Sequence, residues 1–195
     1  MRQAGRIVAR VLEALREHAR AGITTAELDA IAAKIIKQEN ATPSFKGYRG
    51  YPAAICSSIN EEIVHGIPGP RRLQEGDILS IDVGAIYKGY HGDAAITVGI
   101  GQISEEARRL IEATAGALAA GIAQAQPGNR IGDISHAVQE YAESRGFAVV
   151  REYMGHGIGR QMHEPLQVPN FGTAGHGSPL KPGLTLALEP MLNVG

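Results

Sequence analysis

Residues 77 to 99 read DILSIDVGAIYKGYHGDAAITVG, and their alternation decides the fold class. Leu79, Ile81 and Val83 fall on one side of an extended chain, and Ser80, Asp82 and Gly84 on the other. After the turn pair Lys88-Gly89, Ala94, Ile96 and Val98 alternate against Asp93, Ala95 and Thr97. The pattern predicts a hairpin, with strands over 77–87 and 91–99 and both aspartates on its polar face. Like charges on one face repel, and cross-strand neighbours there lie about 5–8 Å apart, so a divalent cation taking oxygen ligands would relieve the pair. An isolated pair of this kind is more often simply solvated, and its weight comes from the motifs elsewhere.

Outward from the hairpin the apolar period changes from 2 to 3.6. Ile7, Val8, Val11, Leu12 and Leu15 predict a helix near 4–19, closed by Gly22. Thr24 stands three residues before Glu27, a capping-box spacing, and Leu28, Ile31, Ile35 and Ile36 form the apolar face of a second helix. Asn40 to Tyr51 reads as turn-rich loop. On the other side, helices are predicted near 104–125, opened by Ser104 with Glu105 and Glu106 at its positive end, and near 131–145. Pro127-Gly128-Asn129 separates them. The recurrence of helix, helix and strand suggests a weak duplication, with halves of about 1–100 and 101–195 inside a single domain.

The chain has 195 residues, 44% of them hydrophobic, enough to bury a core within one domain. A formal net charge of -1 provides no electrostatic reason to expect nucleic acid or an anionic membrane as partner. Arg71-Arg72 beside Pro70 reads as a solvated turn. No apolar run is long enough to span a bilayer, and the first residues lack the apolar core of a signal peptide. The single cysteine, Cys56, excludes an internal disulfide and suits a reducing compartment, with the cytoplasm as the default.

Two further motifs supply candidate ligands. Gly155-His156-Gly157-Ile158-Gly159 sets an imidazole in a glycine loop through which backbone can pass close to a site. It lacks the spacing of a dinucleotide fingerprint, and taken alone it is as readily a turn histidine. Leu184 to Leu188 reads as a strand leading into Glu189-Pro190, which places a carboxylate at a strand end. Asp82, Asp93, His156 and Glu189 together are the mixed oxygen and nitrogen set that borderline divalent metals accept.

Across essentially the whole chain the sequence resembles the type I methionine aminopeptidases. The resemblance is carried by Gly47-Tyr48-Arg49-Gly50-Tyr51-Pro52, Ser58-Ile59-Asn60-Glu61, His65-Gly66-Ile67-Pro68, Ile81-Asp82-Val83, His91-Gly92-Asp93, Gly155-His156-Gly157-Ile158-Gly159-Arg160 and Glu189-Pro190-Met191. It implies the pita-bread α/β fold of peptidase family M24, with helices outside a curved antiparallel sheet in two related halves. It implies metal ligation by Asp82, Asp93, His156 and Glu189, with Asp93 bridging two ions. The ions would be cobalt, manganese, iron or zinc. By the same resemblance Glu189 relays a proton, and His65 and His163 contact the substrate. Phe45, Tyr48, Tyr51, Cys56 and Met162 would line a methionine pocket.

The implied activity is removal of the N-terminal methionine from nascent proteins when the second residue is small, by a cytoplasmic and usually monomeric enzyme that can meet its substrates at the ribosome. The family pattern has a fifth ligand, a bridging glutamate, beyond Gly195. On that basis the chain reads as C-terminally truncated, with Asp93, His156 and Glu189 left as three ligands for one metal and with weakened activity. Two alternative readings stand beside it: an impaired binding module or fragment on the pita-bread fold, against which the intact His156 and Glu189 argue, and a relative that cleaves before proline.

Overall fold

A computed structural model describes residues 1–194, which divide into two compact units, Met1–Glu105 with Gly159–Met162, and Glu106–Ile158 with the residues from His163 onward. In the first unit, α1 (Arg2–His18) buries Ala4, Ile7, Val8, Val11, Leu12 and Leu15, the stripe its 3.6-residue period dictates. The helix α2 (Thr25–Gln38) starts at the expected capping box. The Thr24 hydroxyl accepts the Glu27 N–H at 3.1 Å, and the Glu27 carboxylate accepts the Thr24 N–H at 2.8 Å. Two of the orphan amides of the first turn are thereby satisfied.

Four antiparallel strands follow: β1 (Thr42–Pro43), β2 (Ile55–Ile59), β3 (Ile78–Tyr87) and β4 (Tyr90–Gly99), with β3 paired to each of the other three. The hairpin of β3 and β4 turns at Lys88-Gly89, both at positive φ, as the turn chemistry predicts. Leu79, Ile81 and Val83 are fully buried and join the α1 and α2 stripes in one continuous core. Segment 40–51 differs from the loop expected there. Thr42 and Pro43 pair with Ile86 and Ala85, and Tyr48–Gly50 forms a 3₁₀ turn. Arg71 and Arg72 are less idle than a solvated turn, for Arg71 pairs with Glu62 at 3.1 Å and Arg72 donates to the Gly22 carbonyl.

Gly92 explains how α1 can lie on this sheet. A Cβ there would sit 2.7 Å from the Ala4 carbonyl carbon, so only glycine lets the helix backbone approach β4 this closely. That contact secures the strand immediately before Asp93.

In the second unit, α3 (Glu105–Gln124, its first residue belonging to the first unit) and α4 (Ile131–Glu143) match the expected helices to within two residues. The strand β6 (Met154–Gly157) is the centre of a three-stranded sheet between β7 (Glu164–Pro169) and β8 (Leu186–Ala187), and β5 (Ala148–Val149) pairs with β9 (Leu192–Asn193). Two smaller cores form: Ala113, Ala117, Val138, Ala142, Phe147, Val149 and Leu192 in one, and Ile131, Ile134, Val168 and Leu180 in the other.

Two sequence expectations are corrected in this unit. The Gly155–Gly159 stretch is a strand through Gly157 rather than a loop. Gly155 serves close strand packing, since a Cβ there would meet the Ala187 carbonyl oxygen at 2.3 Å. The strand expected over 184–188 shrinks to Leu186–Ala187, because Lys181 to Leu184 is occupied by a turn closed by the Leu184 N–H on the Lys181 carbonyl.

Candidate metal centre

His156 stands in the middle of β6, opposite Gln167 on β7 and Ala187 on β8, and is 6% exposed. The ladder shifts register just after it, a bulge that re-aims the local backbone. Its Nδ1 lies 2.9 Å from the Gly157 carbonyl oxygen. A carbonyl can only accept, so Nδ1 carries the hydrogen, and in the neutral ring Nε2 presents a lone pair. That lone pair faces the Glu189 carboxylate, with Nε2 and Oε1 3.1 Å apart.

Two acceptors cannot bond to each other without a cation between them, either a proton or a metal ion. Ligand atoms at right angles about a transition metal with bonds near 2.1 Å are about 3 Å apart, so the observed separation fits the edge of a coordination shell. Second contacts hold both groups. Glu189 lies two residues beyond the end of β8, and its backbone carbonyl accepts from Asn170 Nδ2 at 2.8 Å. Asn170 is itself 3% exposed. The His163 ring packs on His156, with centroids 4.0 Å apart and planes tilted by 39°.

In the first unit the two aspartates take the positions their period predicts. Asp82 pairs with Cys56 on β2 and Ala95 on β4, and Asp93 pairs with Gly84. Directly opposed residues share a face, so Asp82 and Asp93 are diagonal neighbours on one face of the hairpin, within reach of a common ion. The Phe45 ring lies over Gly84, where a Cβ would come within 2.7 Å of it. Phe45, Cys56 and Met162 cluster there with Tyr48 and Tyr51, a soft and aromatic group.

Burial pushes the Cys56 thiol up to about 12, the Tyr51 hydrogen bond acts against that rise, and the negative charges of Asp82 and Asp93 add to it. His91, its Nδ1 3.0 Å from Ser44 Oγ, is held below the usual histidine range by burial, against the opposing charge of Asp93. The short segment 159–162 belongs to this unit through the Gly159 carbonyl, which accepts the His91 N–H at 2.9 Å. His65, in the loop between β2 and β3, is exposed and adopts φ 62°.

Thus the second unit brings together His156, His163 and Glu189, and the first brings together the face bearing Asp82 and Asp93 and the cluster around Cys56. Sequence reasoning missed Asn170 as the anchor of the Glu189 backbone. A single buried asparagine after a strand carries no periodic signal.

Set against known proteins, residues 1–195 match the model of metallopeptidase family M24. The chain is 57% identical to a methionine aminopeptidase of Clostridium acetobutylicum, over 100% of this chain and 78% of that one. The crystal structure of methionine aminopeptidase from Rickettsia prowazekii superposes with a TM-score of 0.98 at 40% identity, covering 100% of this chain and 78% of that chain. A prolidase from Pyrococcus furiosus superposes with a TM-score of 0.83 at 24% identity, over 96% of this chain and 53% of its own, a likeness of fold alone.

Proposed function

This chain belongs to metallopeptidase family M24 and within it to the methionine aminopeptidases, and from that premise we infer that it removes the N-terminal methionine of polypeptides whose second residue is small. The observation that carries this reading is the convergence of His156 Nε2 and Glu189 Oε1 at 3.1 Å with the His156 tautomer already committed by the Gly157 carbonyl.

We assign Asp93, His156 and Glu189 as protein ligands of one divalent ion, a count that leaves room for a water and the substrate. Asp82, on the same hairpin face as Asp93, adds a further carboxylate to that ligand set. Support for bringing Asp93 into the set comes from the family to which the chain belongs, whose resemblance is carried in part by His91-Gly92-Asp93. One nitrogen with carboxylate oxygens suits manganese, iron, cobalt or zinc.

A bound divalent ion supplies a Lewis acid that brings the pKa of its water toward neutrality. The Glu189 carboxylate then accepts the proton of the attacking water and delivers it to the leaving amine. His163 and His65 donate hydrogen bonds to the substrate carbonyl and amide as charge develops there. Phe45, Tyr48, Tyr51, Cys56 and Met162 accommodate the methionine thioether, whose polarizable sulfur pairs well with ring edges. The same reading sets the work on nascent chains in the cytoplasm, performed by a monomer where new N-termini leave the ribosome.

Hydrolysis of a Met-Ala-Ser peptide by the purified chain, with manganese, cobalt or iron(II) added, tests the reading. Methionine release is expected, slower by roughly 10²-fold for Met-Leu-Ser and abolished in Glu189→Ala. A folded protein that releases no methionine with any of these ions would overturn it.

A further inference from the structure

The stretch Ser58-Ile59-Asn60-Glu61 is prominent in the sequence yet contributes no ligand to the site described above. It leads into the loop that carries His65, and its polar groups hold that loop at two places. At the base, Asn60 takes a left-handed conformation with φ 56°. Its N–H donates to the Ile78 carbonyl at 3.0 Å, its Oδ1 accepts the Ile78 N–H at 2.9 Å, and its Nδ2 donates to Asp77 Oδ1 at 2.9 Å. The two ends of the loop are thereby closed on each other.

At the far end, Gly66 lies against the backbone of β2. Its N–H donates to Ser58 Oγ at 3.0 Å, and its carbonyl accepts the Ser57 N–H at 2.8 Å and the Tyr51 hydroxyl at 2.9 Å. A Cβ at this position would lie 2.2 Å from the Ser57 carbonyl oxygen, so no other residue could lie so close. His65 sits between these two anchors at φ 62°, a region that residues with a Cβ occupy only when their surroundings hold them there. Ser58 is 3% exposed, so its hydroxyl meets Gly66 inside the protein rather than in water.

We propose that Ser58 is a positioning residue for His65: by accepting the Gly66 N–H it holds the peptide that follows the histidine, and with Tyr51 it fixes the left-handed backbone that aims the imidazole at the substrate. The proposal rests on the substrate-contacting role assigned to His65. Without the Ser58 oxygen the 65–66 peptide is free to turn, and the imidazole leaves its productive direction for part of the time.

The test is a double-mutant cycle on Met-Ala-Ser hydrolysis, paired with NMR of the protein carrying 13C-labelled histidine, in which His65→Ala assigns the His65 resonance. Ser58→Ala is expected to lower kcat about tenfold with KM little changed, and to shift or broaden the His65 imidazole signal. In the His65→Ala background the same substitution is expected to cost less than about twofold, since the two act as one unit. Ser58→Thr, which keeps the hydroxyl, is expected to restore both readouts. Should Ser58→Ala fail to fold, Tyr51→Phe removes the second anchor, and its effect is expected to shrink in the same way without His65. Equal losses in both backgrounds with an undisturbed His65 signal would overturn the proposal. If His65→Ala leaves kcat/KM unchanged while Ser58→Ala still disturbs the imidazole, the positioning stands and the catalytic assignment of His65 falls.

Discussion

Cys56 is a thiol that burial has silenced. With its pKa pushed up to about 12, the thiolate is only about one part in 10⁴ at pH 8, and the thiolate is the reactive form. Native protein at pH 8 should therefore resist iodoacetamide under conditions that alkylate the urea-unfolded chain completely, as mass spectrometry would record. The folded state favours the protonated thiol. Its contribution to stability is thus complete below the unfolded value near 8.5 and declines as the pH rises from there toward 12. Ser57, one residue on, presents the opposite case: its hydroxyl is buried with no hydrogen-bond partner among the described residues. Ser57→Ala removes a desolvated polar group and breaks no bond, so urea denaturation should show a gain of about 1 kcal/mol. A loss of stability would mean that the hydroxyl has a partner. At this scale the sequence revealed Asp82 and Asp93, because a period of 2 assigns each residue to a face. It did not reveal the tautomer of His156, which depends on a carbonyl one residue away at a bulge that no composition signal marks.

The elements differ in how openly the sequence shows them. The helices α1 and α2 were legible from their apolar stripes, α2 also from Thr24 and Glu27, and α3 from Ser104 with Glu105 and Glu106. Thr24→Ala should cost about 1 kcal/mol by thermal or urea unfolding. The Glu27 carboxyl is held below its usual range chiefly by the Thr24 backbone N–H. The ionised form therefore favours folding. Its contribution is present above the ordinary glutamate pKa and is lost as the pH falls through that value to the depressed folded one. The stability gap between the wild type and Glu27→Gln should accordingly close in acid, and a gap that widens there would contradict the assignment. Whereas β8 falls inside the strand read over 184–188, the strands β1, β5 and β9 were not legible, since two residues cannot display an alternation. Neither was β6, whose Met-Gly-His-Gly text has low strand propensity and exists as a strand because both neighbours pair with it. Gly155→Ala should destabilise by about 1–3 kcal/mol and weaken metal binding together, because the Cβ would push β8 away just before Glu189.

Across the whole molecule the cores are unequal. The first unit has one large continuous cluster spanning α1, α2, β2 and β3 beside the small one around Cys56, while the second has only two smaller ones among the described residues. Hydrogen exchange should therefore be slowest in β3 and α1 and distinctly faster in β5 and β9, with uniform protection as the contrary result. No helix among the described residues is long and apolar enough to cross a membrane. The family was legible in the sequence because its motifs are long and many, and the chain's match to the M24 model over its full length agrees with that reading. The function rests on whether the side chains that converge at His156 hold a metal ion. Titration of the protein with cobalt(II), followed by visible absorption, measures that directly. The account predicts a saturable site in the wild type that is lost in both His156→Ala and Glu189→Ala while each variant stays folded. A titration unchanged by these substitutions, or no saturable binding at all, would contradict it.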